Sequence, residues 1–163
     1  MRICVFCGSN TGRGESYMKA AFELGELIAE RGLGVVYGGA RDGTMGAVAN
    51  GAMAKGGEAI GVLPRQLFEL EQAHPALTKL HIVDSMHERK QIMHDLSDAF
   101  ICMPGGIGTM EETFEVWTWT QLGVHRKPLA FYNVNGFYDA LERFFDVMVE
   151  EGFVRSVHRQ MAL

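Results

Sequence analysis

The chain has 163 residues, 47% hydrophobic and 21% charged, with 15 Lys+Arg against 20 Asp+Glu and a formal net charge of -5. That size predicts one domain, 1–163, able to fold without disulfides or metal, and its acidic balance argues against a protein held to nucleic acid by bulk positive charge. No apolar run reaches the ~18 residues of a membrane helix, no signal peptide precedes Cys7, and three cysteines form no disulfide framework, so the expectation is a soluble cytoplasmic protein.

In chain order, Ile3 to Cys7 reads as a first strand. Glu15 to Arg31 has helical spacing at Met18, Ala21, Phe22, Leu24, Leu27 and Ile28, with Gly32 as its stop. Gly34 to Tyr37 is a second strand. Met45 to Lys55 is an Ala/Met-rich helix ending at Gly56-Gly57. Ala59 to Leu63 is a third strand stopped by Pro64, and His81 to Val83 a fourth. Arg65 to Lys79 reads as a short helix and a loop. Met86 to Leu96 is a helix, Ala99 to Met103 a fifth strand stopped by Pro104, and Thr109 to Leu122 a helix. Leu129 to Tyr132 is a sixth strand and Phe137 to Glu150 a final helix. This βαβα alternation predicts an α/β, Rossmann-like, doubly wound parallel sheet.

Glycine supplies 20 of the 163 residues, above the usual ~7%, so many turns are tight or meet something closely. Three strand ends run into glycine turns: Gly8-Ser9-Asn10-Thr11-Gly12, the loop from Gly38-Gly39 to Gly46, and Pro104-Gly105-Gly106-Ile107-Gly108-Thr109. The last two lead straight into helices, whose free N–H groups favour an anion such as phosphate. Strand–helix turns use glycine anyway. Three at one sheet edge, where open parallel sheets bind ligands, favour a phosphorylated ligand. No GxGxxG follows the first strand and no GxxxxGK[ST] is present, so a mononucleotide or sugar phosphate is expected rather than NAD or ATP.

The run PGGIGTMEE, Pro104 to Glu112, resembles the PGGxGTxxE signature of the LOG ("lonely guy") family, and Met86-His87-Glu88-Arg89-Lys90 resembles its second signature. Cys7-Gly8-Ser9, the Gly38-to-Gly46 loop and the run Trp117 to Gly123 are similar in order and spacing. The resemblance covers Ile3 to about Arg159. It implies a Rossmann-like homodimer that cleaves the N-glycosidic bond of adenine-type nucleoside 5′-monophosphates, among them cytokinin riboside 5′-monophosphates, to free base and ribose 5-phosphate. No cofactor is implied. Relatives labelled lysine decarboxylase are set aside, because the five lysines suggest no pyridoxal phosphate site. The chain departs from the pattern at Ala40, Asp42 and Thr44 of the second loop, and many relatives continue beyond the position of Leu163.

Breaking an N-glycosidic bond builds positive charge on the ribose, which a carboxylate can stabilise while taking a proton from water. The resemblance assigns that role to Glu112. Thr109-x-x-Glu112 is also the pattern of a helix capping box. Arg89 is the second residue assigned to catalysis. Adjacent Arg89 and Lys90 point ~100° apart on a helix, and a solvated basic pair is the alternative. The resemblance also implies substrate contacts from Gly8, Ser9, Gly38, Gly39, Glu71, Met86, Lys90, Gly105, Gly106, Ile107, Gly108, Thr109, Glu111 and Thr118. Glu111 and Glu115 share one helix face, either at the ligand or as a solvated acidic face.

Cys4 and Cys7 sit three apart in a strand and point to opposite faces, which suits neither a metal nor a disulfide. The six histidines form no ligand pattern, so no metal is expected. Met110, Phe114 and Trp117 lie along one helix face, as core or against a second subunit. A Rossmann-like carrier of a nucleotide or of molybdenum cofactor is the competing reading. It keeps the glycine loops but has no need of Glu112 and Arg89 together.

Overall fold

A computed structural model describes residues 1–68 and 72–163. Its strands are β1 (Arg2–Phe6), β2 (Gly34–Tyr37), β3 (Ala59–Pro64), β4 (Lys79–Val83), β5 (Ala99–Cys102) and β6 (Leu129–Phe131). Its helices are α1 (Ser16–Glu30), α2 (Gly43–Ala54), α3 (Met86–Leu96), α4 (Ile107–Gln121), α5 (Asp139–Glu150) and α6 (Ser156–Arg159). All strand pairs are parallel, in the order β4-β3-β2-β1-β5-β6. The expected Rossmann-like sheet is the one observed. Among the described residues no helix is long and apolar enough to cross a membrane.

β2 and β3 are buried along their whole length, as expected of central strands covered on both faces. Alternation divides the core. Val5, Cys7, Val35 and Tyr37 pack with α1 and α2 on one face, and Cys4, Phe6, Val36 and Phe100 pack with α3, α4 and α5 on the other. Cys4 and Cys7 therefore do point apart, and both are free. α1 and α2 touch backbone to backbone: a Cβ at Gly25 would overlap the Val48 carbonyl, and one at Gly51 the Phe22 carbonyl.

From β1 the chain builds outward to β4, then returns across β1 to place β5 on its other side. The connections after β1 and β5 thus leave in opposite directions, which opens a crevice at their carboxyl ends. Met103 N–H donates to the Phe6 carbonyl at 2.9 Å and holds the two strand ends together there.

The structure differs from these expectations at several points. α4 begins at Ile107 with Gly106 as its N-cap, not at Thr109. α5 begins at Asp139, not Phe137. Asn135 and Gly136 are left-handed (φ 56° and 71°), so a 3₁₀ turn at Val134–Gly136 comes first. Asn133 then fastens the helix start, accepting from Tyr138 N–H and donating to Asp139, each at 2.7 Å. The short α6 is not expected from the sequence. Trp117 Nε1 donates to the His158 carbonyl at 2.9 Å and fixes it against α4.

Candidate active site

A cleft of about 300 Å³ opens at the crevice, near the lower bound of small-ligand pockets. One wall is Cys7, Gly8, Ser9 and Asn10 after β1, and another is Gly106 to Thr109 at the start of α4. Met86 and Arg89 of α3, Met45 of α2 and Glu112 complete it.

The first loop is fixed by a residue that looked like a departure. Thr44 is buried, and its Oγ1 accepts from Gly8 N–H and donates to the Gly8 carbonyl, each at 3.0 Å. Met45 N–H adds a bond to the same carbonyl at 3.1 Å. Asp42 stays exposed beside Arg41, 3.6 Å away.

The third loop turns directly into α4. The main-chain N–H groups of Ile107, Gly108 and Thr109 form its first turn, where no intrahelical partner exists. They make an anion seat at the positive end of the helix dipole. Because the N-cap is Gly106 and no side chain caps it, the Thr109–Glu112 capping box does not form. Glu112 lies in the second turn and is buried. A side-chain cap is found instead on α3. Ser85 Oγ accepts from Glu88 N–H at 3.1 Å, and Glu88 accepts from Asp84 N–H at 2.9 Å.

That cap fixes the turn that carries Arg89. Its Nε donates to the Val62 carbonyl at 3.1 Å and its Nη2 to the Gly38 carbonyl at 3.2 Å. The guanidinium lies across the carboxyl ends of β2 and β3, and Nη1 reaches 3.8 Å from Glu112 Oε1. A Cβ at Gly38 would overlap the guanidinium, so glycine is needed for this approach. Arg89 and Lys90 are both buried, which excludes a solvated basic pair. Lys90 Nζ lies 2.5 Å from Glu111 Oε1 and 3.0 Å from Glu115 Oε2. The acidic face of α4 is paired with it.

The structure brings Gly8, Ser9, Met86, Arg89, Gly106, Ile107, Gly108, Thr109 and Glu112 together at the cleft. Gly105 lies beside it, in an adjoining pocket with Tyr17 and Phe137. Gly38 and Gly39 are buried beneath it, and their carbonyls serve Arg89 and His74 N–H. Lys90 and Glu111 face one another rather than the cleft, and Thr118 is exposed in a groove with Phe114 and Phe144. Glu71 falls outside the described residues. Sequence reasoning missed Met45, Asn10 and Cys7 as lining, and the Val62 carbonyl as an Arg89 partner. Their signal was position alone: Cys7 and Asn10 flank Gly8-Ser9 in the first glycine turn, and Met45 lies in the second. Burial, and then the charge of Glu112, push the Cys7 thiol well up, which disfavours the thiolate.

A family model described as possible lysine decarboxylase matches residues 45–163. The chain is 46% identical over 162 residues to the cytokinin riboside 5′-monophosphate phosphoribohydrolase LOG of Oryza sativa subsp. japonica, covering 99% of this chain and 67% of that one. It is 45% identical over 162 residues to the cytokinin riboside 5′-monophosphate phosphoribohydrolase of Rhodococcoides fascians, covering 99% and 82%. Among solved structures it resembles the molybdenum cofactor binding protein of Rippkaea orientalis, with TM-score 0.65 and 27% identity over 80% of this chain and 74% of that one.

Proposed function

Since the chain belongs to the LOG family, we propose that it is a phosphoribohydrolase, a nucleotide N-glycosidase. Its substrates are adenine-type nucleoside 5′-monophosphates, AMP or N6-modified cytokinin riboside monophosphates. The observation that carries this reading is the buried Arg89–Glu112 pair at a cleft walled by a helix N-terminus.

The substrate phosphate sits on the N–H groups of Ile107, Gly108 and Thr109, with Gly8 and Ser9 opposite. This places the ribose toward Glu112. As the bond from C1′ to the base nitrogen breaks, its electron pair leaves with the base and positive charge develops on the ribose ring. The Glu112 carboxylate stabilises that charge and accepts a proton from the water whose oxygen bonds to C1′. Glu112 gives this proton up again through solvent and the departing base takes one up, so the OH of water ends on C1′, its H on the base, and the carboxylate is restored. Arg89, anchored by two carbonyls, offers Nη1 to the substrate and orients Glu112. Met45, Met86 and Ile107 give the cleft its apolar side, toward the base.

The chemistry of the decarboxylase label does not fit these residues. A lysine that forms a Schiff base needs a lowered pKa. Lys90 is the lysine beside the cleft, and its pKa is raised: burial opposes the charge, but Glu111 and Glu115 outweigh it.

A homodimer is part of the proposal. Phe114, Phe144, Val147 and Phe153 are exposed along α4, α5 and the turn that follows, a surface that suits a second copy. Thr118 stands in this groove and would reach a substrate only across such an interface. The three buried free thiols suit a reducing cytoplasm.

The test is release of free base, separated by chromatography, from AMP, isopentenyl-AMP and the unphosphorylated nucleosides. Release from the monophosphates alone supports the reading. AMP binding without release favours the carrier reading, which the likeness to a molybdenum cofactor binding protein keeps in play.

A further inference from the structure

We infer that Lys90 is a positioning residue: held between Glu111 and Glu115, it locks α3 to α4 and thereby sets Arg89 against Glu112. The inference rests on the phosphoribohydrolase reading and adds a residue that acts through others.

Two cross-links join the same pair of helices. Arg89 and Lys90 are neighbours on α3, and Glu111, Glu112 and Glu115 lie within five residues on α4. Neighbours on a helix diverge by ~100°, so the links take different faces. Arg89 to Glu112 borders the cleft. Lys90 to Glu111 and Glu115 lies outside the cleft lining. The Lys90 side chain is only 9% exposed, and its two carboxylates stand one turn apart, so they grip the ammonium from both sides. Two of its three N–H bonds are thereby used. A lysine serving as a direct phosphate ligand has no need of two carboxylates, which would compete with the phosphate. Arg89 is pinned to the sheet by Val62 and Gly38. Glu112 is carried on α4, so the α3–α4 spacing bears directly on the 3.8 Å separation. Catalytic groups displaced by ~1 Å lose on the order of 10²-fold in rate.

The experiment compares wild type, Lys90→Gln, Lys90→Arg and the double variant Glu111→Gln/Glu115→Gln. Base release from AMP, inhibition by ribose 5-phosphate and thermal unfolding are measured on each. A positioning role predicts that folded Lys90→Gln loses about 10- to 100-fold in kcat, with KM and ribose 5-phosphate inhibition within about threefold of wild type. Lys90→Arg recovers most of the loss, and the double variant loses kcat as Lys90→Gln does. The inference is overturned if Lys90→Gln raises KM about tenfold or more at unchanged kcat. It is also overturned if the double variant binds ribose 5-phosphate more tightly with kcat intact, the mark of a lysine freed to bind phosphate. Loss that only tracks the folded fraction, with no rescue by arginine, overturns it as well. Should Lys90→Gln not fold, the double variant decides, since it leaves the lysine in place. Wild type that releases no base sinks both readings, whereas active wild type beside a fully active Lys90→Gln sinks this one alone.

Discussion

Arg89 Nη1 lies 3.8 Å from Glu112 Oε1, and both side chains are at least nine-tenths buried. The separation exceeds a direct hydrogen bond, so the two charges face one another while each keeps an edge toward the cleft. The Val62 carbonyl of β3 and the Gly38 carbonyl just past β2 hold the cation. The carboxylate sits in the second turn of a helix whose start carries no side-chain cap. Charge, direction and dryness thus meet where a ribose ring would lie beside its phosphate.

Glu112→Gln keeps the side-chain shape and removes the charge. Base release from AMP should fall by about 10²–10⁴-fold, the usual worth of a general acid–base group. Arg89 retains its two carbonyls, so the variant should still unfold cooperatively. Chromatographic assay beside a thermal melt checks both, and wild-type turnover in a folded variant would end the assignment.

Arg89→Lys tests geometry rather than charge. One ammonium does not span the Val62 carbonyl, the Gly38 carbonyl and the cleft together. We expect kcat/KM to drop by at least about 100-fold, and stability by about 2–4 kcal/mol from the unpaired buried groups. A urea titration and steady-state kinetics measure these. Retained kcat/KM would show that positive charge alone suffices.

Gly38→Ala adds one methyl against the Arg89 guanidinium and the Met45 sulfur. Arg89 must then move. The expected result is a fall in kcat of about tenfold or more, with a melting point lowered by a few degrees, on the order of 1 kcal/mol. An active Gly38→Ala protein would mean that the guanidinium anchor is dispensable.

Histidines set an acid limit on stability. His125 Nδ1 accepts from Lys127 N–H at 3.1 Å, and Nε2 lies 3.1 Å from the Val116 carbonyl, the pattern of a neutral ring. Burial, then the nearby His94, lowers its pKa from the usual 6.5, and burial likewise lowers His74. In the unfolded chain both take up protons near 6.5, while the folded chain resists until lower pH. Stability is therefore full above about pH 6.5 and declines as pH falls through the depressed folded values. The carboxylates with lowered pKa, Glu30, Glu58 and Asp95, act only below this window. The urea midpoint should drop between pH ~7.5 and ~5.5, and His125→Gln should lessen the drop. A flat midpoint would contradict the account.

Local pattern was enough for the sheet. Short apolar runs bounded by glycine and proline gave β1 to β6, and helical spacing gave α1 to α5, because burial period and turn chemistry act over a few residues. PGGIGTMEE and MHERK pointed to the cleft, since a helix start and the turn behind it are close in sequence. Other features depend on distant partners, and only the tertiary structure decided them. α4 starts at Ile107 behind Gly106, two residues earlier than the Thr-x-x-Glu spacing suggests. Arg89 is buried because carbonyls 27 and 51 residues away receive it. Lys90 turns from the cleft because two carboxylates one turn apart on another helix meet it. Thr44 reads as a stray hydroxyl in a glycine loop until folding sets it against Gly8. Side-chain charge and type are written in the chain, but the partner that neutralises or orients each one is chosen by packing across the sheet.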